Sequence, residues 1–317
     1  MRILVSGSTG LIGRAVCVGL EKRGHRVIRL VRGDAGGGAS GGGGGGDELA
    51  SPMSSRVPMG TVVVWNPSLG EVPLALLEGL DGVIHLGGEP IYGRWTDAKR
   101  RRILESRVGP TTLLAEALTK LVNPPRLLLT ASGITYYGTH RDEVLDETSP
   151  SGGGFLAEVC RRWEAAAQVA EQRGIAVGHL RFGMVLSRYG GALKQMLPIF
   201  KMGLGGRIGN GEQYWSWIGI DDAAAAIAVI AESPDARGPY NIVAPGVVTN
   251  AEFTRILARR LHRPACLPVP GALLTLALPG FAEETLLASQ QVVSGKLEAM
   301  GFEFEYPTLE GALKALV

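Results

Sequence analysis

"LVSGSTGLIGRAV", residues Leu4–Val16, decides how the rest of the chain is read. A short aliphatic run ends at a turn carrying Gly7, Gly10 and Gly13 at three-residue spacing, and an amphipathic stretch from Leu11 to Lys22 follows. Strand, glycine turn and helix in that order form a phosphate cradle. Gly7 permits the tight turn and Gly10 lets the backbone approach a pyrophosphate. Gly13 lets the helix pack close to the strand, with its first N–H groups turned toward the phosphates. Thr9, Leu11 and Ile12 join the three glycines as expected dinucleotide-binding residues.

The next strand, "HRVIRLVR" (His25–Arg32), selects the dinucleotide. NAD enzymes usually place a carboxylate at its end to accept hydrogen bonds from the ribose 2′-OH. Here Val31 and Arg32 stand there instead, and a guanidinium favours a 2′-phosphate through a charge-assisted fork. NADP(H) is the expected cofactor. "TVVVW" (61–65), "DGVIHLGG" (81–88), "PRLLLTASG" (125–133) and "IAVGHLRFGMVLS" (175–187) read as further buried strands, with helices around Ser106–Leu121 and Phe155–Ala167 between them. Short apolar runs alternating with helices predict an α/β fold with a doubly wound parallel sheet of Rossmann type. The tract from Gly33 to Gly60, including "GGGASGGGGGG", has too little apolar surface to fold and reads as a disordered insertion.

From Ser187 the texture changes to "GGALKQMLPIFKMGLGGRIGNG", "YWSW" and a proline-marked tail. This divides the chain into a cofactor domain at 1–186 and a smaller substrate lobe at 187–317, partly interleaved with the sheet. Trp215 and Trp217 alternate as on one strand, either walling a ligand or burying the lobe junction. Asp221 and Asp222 are read as capping the next helix.

Composition excludes several classes. Across 317 residues, 32 basic side chains are balanced by 30 acidic ones, which leaves no nucleic-acid footprint. Cys17, Cys160 and Cys266 offer neither a disulfide framework nor metal-ligand spacing, and no metal is expected. The run "AAAAIAVIA" is too short to span a bilayer, so no membrane partner is expected. Met1 opens directly onto a strand, which predicts a cytoplasmic protein without a leader. The alternative is the plastid stroma after removal of a transit peptide.

The segments "SGSTGLIG", "HLGGEPI.GRW", "SRV", "TASGITYYG", "CRRWE", "SWI.I.D" and "NIVAP" together resemble the atypical short-chain dehydrogenase/reductases. They are most similar to the NAD-dependent epimerase-like family that includes the bacterial YfcH-type and the SDR39U1-like proteins. The resemblance covers nearly the whole chain outside the Gly33–Gly60 tract. It implies that Leu86 and Gly87 pass beneath the adenosine, that Val185 lies near the nicotinamide, and that Arg107 contacts the cofactor phosphates. It also implies Ser132 as the hydroxyl that bonds a substrate carbonyl.

One departure bears on function. Reductases of this group carry a tyrosine and, four residues later, a lysine that lowers its pKa for proton delivery. Counting back from Glu164 in "FLAEVCRRWEAAA" gives Leu156 and Cys160 at those places. Leucine has no proton to give and a buried thiol no positive charge. Ser132, Tyr136 and Tyr137 are the remaining candidates for catalysis. The expected activity is that of an oxidoreductase or epimerase on an unknown small-molecule substrate. The alternative is a catalytically silent, NADP-bound scaffold or redox sensor, working as a homodimer or on a protein partner and possible as a cell- or plastid-division factor.

Overall fold

The computed structural model describes residues 1–33 and 61–317, so the insertion read from Gly33 to Gly60 lies, beyond Gly33 itself, outside the described residues. β1 (Arg2–Ser6), α1 (Leu11–Lys22) and β2 (Arg26–Arg32) form the first βαβ unit. β3 (Thr61–Trp65), the single turn α2 (Leu74–Leu77) and β4 (Gly82–His85) follow. β4 is buried at every position, as expected of a central parallel strand, whereas β3 buries only alternate residues, as an edge strand does.

The long helix α3 (Asp97–Thr119) leads to β5 (Leu127–Gly133). α3 starts well before the expected Ser106, because the Thr96 hydroxyl accepts the Lys99 N–H at 3.2 Å and caps an almost wholly polar first turn. Then come β6 (His140–Leu145), α4 (Phe155–Ala167) and β7 (Ala176–Phe182). "IAVGHLRFGMVLS" is not one strand. It breaks at Gly183, whose N–H still reaches Ile242 O, and resumes as β8 (Met184–Leu186). A Cβ on Gly183 would stand 2.6 Å from Ser216 O, so glycine is what lets the chain cross here.

The second half contributes α5 (Gly191–Lys201), β9 (Tyr214–Trp215), β10 (Trp217–Gly219), α6 (Ile220–Glu232) and β11 (Gly238–Ile242). It ends with β12 (Val248–Thr249), α7 (Asn250–Leu261), α8 (Gly271–Ala277), β13 (Ser289–Val292), α9 (Gly295–Ala299) and α10 (Leu309–Leu316). Seven parallel strands in the order β11-β7-β5-β4-β1-β2-β3 make the main sheet. The order reverses between β1 and β4, and the carboxyl ends of strands at such a reversal are where open α/β sheets bind ligands.

Two expectations about the second half change. Trp215 and Trp217 fall on separate short strands, and both are buried. Trp215 packs edge-on against Phe253, and the Trp217 indole donates to Gly246 O at 2.6 Å. Both join the main buried cluster and fill the junction. Asp221 and Asp222 lie inside the first turn of α6, whose cap is Gly219. The Asp222 carboxylate instead accepts the N–H groups of Glu305 and Tyr306 at 2.8 and 3.0 Å, tying the C-terminal segment to the sheet.

The boundary at residue 186 divides one continuous core. Ile3, Val16 and Leu20 belong to the same buried cluster as Trp217, Ile227, Phe253 and Leu313. β11 completes the sheet and the Ala-rich face of α6 packs on α1. A fragment ending at Leu186 is therefore expected to lack a cooperative thermal transition. A sharp unfolding curve for that fragment in calorimetry would contradict the shared core.

Candidate functional site

The glycine turn is built as its spacing requires. Gly7 has φ +73°, a region L-residues avoid, and a Cβ there would stand 2.8 Å from the backbone carbon of Leu86. A Cβ on Gly13 would meet Gly7 O at 2.1 Å. Gly10 caps α1 with no side-chain hydrogen bond, so the first N–H groups of the helix, beginning with Leu11 and Ile12, face outward beside the exposed Thr9. Such a terminus is a ready anion site. The buried Ser8 hydroxyl has no partner among the described residues. The cradle and this orphaned hydroxyl fit a dinucleotide pyrophosphate.

Leu86 and Gly87 form the facing turn, with Leu86 N–H donating to Ser6 O at 3.0 Å. Arg32 ends β2 exposed, and no carboxylate pairs with it among the described residues. Its Nη2 lies 4.0 Å from the point a Cβ on Gly87 would occupy. Val31 pairs in register with Val64 one strand over. Arg107 lies mostly buried against Gly88, where a Cβ would touch its Cζ at 3.1 Å. Its Nη1 donates to Ile103 O at 2.9 Å and its guanidinium stacks on Trp163; burial pushes its pKa down, against the attraction of the Glu89 carboxylate. Glu89, whose pKa is lowered by the Lys99 ammonium bonded to it at 2.8 Å, belongs to the neighbouring surface, and Trp95 is buried against Phe155 and Phe281. Val185 sits on β8 in register with Ile218 and packs, with Leu11, Ile12 and Leu86, on the main core.

The expected proton relay has become core. Leu156 and Cys160 are buried on α4, and burial pushes the Cys160 thiol up, which suits a packed thiol and not a nucleophile. Ser132 and Glu164 are buried as well, and the Ser132 hydroxyl donates to the Glu164 carboxylate at 2.7 Å. Glu164 in turn holds Arg181 of β7 by two bonds of 2.9 Å each. Burial works against the Arg181 charge, but the hydrogen bonds from Glu164 prevail and hold its pKa above the ordinary value. Arg181 also donates to the Tyr137 hydroxyl at 3.0 Å, and that hydroxyl donates to Asn241 at 2.8 Å. Tyr137 is fully buried and its oxygen is committed, so it is not placed to meet a substrate. Tyr136 is only half-buried; Arg181 covers its ring at 3.5 Å, and no hydrogen bond holds its hydroxyl among the described residues.

Sequence reasoning did not find Arg181, Asn241 or Glu284. The Glu284 carboxylate accepts the N–H groups of Phe155 and Leu156 at 3.0 and 2.7 Å and caps α4 from the far end of the chain. The signal available was Gly154, whose φ of +104° leaves room for that carboxylate. No helix among the described residues is long and apolar enough to cross a membrane.

The chain is similar to known proteins over its full length. Residues 3–243 match the NAD dependent epimerase/dehydratase family, and residues 269–316 match a domain of unknown function, DUF1731. Mouse epimerase family protein SDR39U1 is 37% identical, covering all of both chains. Mycobacterium bovis epimerase family protein Mb2239 is 36% identical over 98% of this chain and 96% of its own. Among solved structures, human SDR39U1 (isoform 2) with NADPH superposes with a TM-score of 0.85 at 33% identity, covering 100% of this chain and 99% of that one.

His85, at the end of β4, gives the site a pH signature. It is wholly buried, and burial first, then the Arg32 charge, lowers its pKa from 6.5 to about 4. The unfolded chain therefore binds a proton that the folded one refuses. The stability this confers is full above pH 6.5 and is lost as pH falls toward about 4. The loss reaches about 3 kcal/mol. Chemical denaturation between pH 4 and 7 is expected to show this slope in the wild type and a shallower one in His85→Phe. Equal slopes would assign the acid sensitivity elsewhere.

Proposed function

The chain belongs to the NAD dependent epimerase/dehydratase family, and on that premise we propose that it is an NADP(H)-dependent oxidoreductase acting on a small carbonyl-type substrate. The observation that carries the cofactor half is Arg32, exposed above Gly87 at the end of β2 with no carboxylate paired to it among the described residues. Gly7, Gly10 and Gly13, with the N–H groups at the start of α1, would hold the pyrophosphate, and Arg32 the 2′-phosphate. Leu86 and Gly87 would lie under the adenosine, Arg107 on the phosphate side, and Val185 toward the nicotinamide. The cofactor would supply the hydride. Support comes from the human relative solved with NADPH.

For the proton, the residue we assign is Tyr136. Its hydroxyl is uncommitted and its ring rests on the Arg181 guanidinium, a cation suited to a developing phenolate. Arg181 would thus serve where the usual lysine does. Ser132 would act through Glu164, orienting the carboxylate that holds Arg181, and not by bonding a substrate carbonyl. We place the protein in a reducing compartment such as the cytoplasm.

A second reading is favoured by one specific observation. The tyrosine and lysine positions are filled by buried Leu156 and Cys160, which suits a silent NADP-bound scaffold or redox sensor.

Two measurements divide these readings. Arg32→Ala is expected to weaken NADPH binding about 10- to 100-fold, the worth of a charged hydrogen bond, while leaving NADH binding nearly unchanged. An unaltered preference by calorimetric titration removes Arg32 from the cofactor reading. Single-turnover oxidation of bound NADPH against a carbonyl panel is expected to proceed, and to slow about 100-fold or more in Tyr136→Phe with cofactor affinity intact. If no compound oxidises NADPH, the scaffold reading stands instead.

A further inference from the structure

His85 is not explained by the cradle alone. Its ring is completely buried, and neither ring nitrogen has a partner among the described residues. Buried polar groups left unpaired are costly and uncommon, and those that occur mark functional sites. The strand register shows what surrounds this one. Ser6 lies opposite His85 on β1, Thr130 opposite it on β5, and Trp65 meets the ring edge-on at 6.1 Å. None of these carries a charge.

The ionisable neighbours are few. His179 lies two strands away in the same row and is itself kept neutral by burial. Arg107 approaches one residue further out, at Gly88. Arg32 is the group whose charge opposes protonation of the ring. Their convergence is specific: the point a Cβ on Gly87 would fill lies 3.5 Å from His85 Cε1, 3.7 Å from Ser6 Oγ and 4.0 Å from Arg32 Nη2. A titratable ring from beneath and a permanent cation from the solvent side therefore reach the same backbone turn.

We propose that His85 is a second selector for the phosphorylated dinucleotide: when a 2′-phosphate sits on Arg32, the buried ring takes up a proton from solvent, so that the dianion meets two cations. This rests on Arg32 being the 2′-phosphate seat. An anion on Arg32 cancels the repulsion that now opposes protonation. By linkage, whatever raises the ring's proton affinity is itself bound more tightly as protons are added. NAD(H) carries a neutral 2′-OH and gains nothing. The ring thus turns a one-charge contact into a pH-dependent preference.

Histidine side-chain NMR tests this directly, because the sequence has only five histidines and His85→Gln assigns the signal. The protein is titrated alone, saturated with NADH, and saturated with NADPH. The His85 midpoint is expected to rise with NADPH and to stay at the ligand-free value with NADH. In parallel, the NADPH-to-NADH affinity ratio, compared between wild type and His85→Gln, should favour the wild type by about twofold more at pH 5 than at pH 8, which is what a gain of about tenfold in the ring's proton affinity gives when its ligand-free midpoint is about 4. The phosphate's own titration is common to both proteins and cancels. NADPH bound with an unmoved His85 midpoint overturns the proposal while leaving the cofactor reading intact. Failure to bind NADPH at all removes both. Where His85→Gln does not fold, single substitutions of the other four histidines assign the His85 signal by exclusion, and the wild-type titration decides the matter.

Discussion

Two backbone turns touch where the sheet reverses direction, and they can do so only because neither bears a side chain at the contact. Gly7, held at φ +73°, faces Leu86 and Gly87 with less than 3 Å between its absent Cβ and the Leu86 carbonyl. Gly13 closes the other side by lying over Gly7 O. These approaches fix β1 against β4 and point the first N–H groups of α1 at one spot. Arg32, His85 and Ser6 are then gathered around Gly87 by register alone. The placement of these three side chains depends on two glycines, Gly7 and Gly13, at which any Cβ would collide with backbone.

The relay end of the cleft obeys a different constraint. Cys160 brings no charge to this place, and the buried cation beside it is Arg181 of β7. Its charge is tolerated inside the protein because Glu164 meets it with two hydrogen bonds and Tyr137 with a third. Removing one partner of such a pair leaves a buried charge uncompensated, a loss of about 3–5 kcal/mol. The network is therefore structural first. At its margin lies the half-buried ring of Tyr136, covered by Arg181.

Local features were readable from the sequence and distant ones were not. The glycine turn, the α1 span and Arg32 at the strand end depend on residues within about thirty positions of one another, and each falls where its spacing predicts. Leu156 and Cys160 could be placed by counting from Glu164, because helix periodicity is rigid. Arg181 could not be assigned to the same site, since only the pairing of β5 with β7 brings it beside Ser132. "YWSW" was legible in part: the strand breaks at Ser216, yet both indoles reach the same buried cluster, the junction-burying alternative of the two that alternation left open. The start of α3 was missed because its first turn is almost wholly polar and only the Thr96 cap announces it.

The C-terminal quarter gains a role from the same geometry. Glu284 caps α4 at Phe155 and at Leu156, the residue in the tyrosine place, and Asp222 of α6 grips the backbone at Glu305 and Tyr306. Gln290 donates to Ile134 O beside the Tyr136 turn, and β13 pairs with β6. Residues 284–306 thus make contacts with α4, α6, β6 and the Tyr136 turn. Helix starts are held by whatever accepts their free N–H groups, and here the acceptor is delivered from more than a hundred residues away. The C-terminal segment behaves as a brace that sets the position of α4, and with it Glu164, Arg181 and the face presented by Tyr136. A change in that segment should act on the site through α4 before it acts on the nucleotide cradle, which no residue of the brace touches.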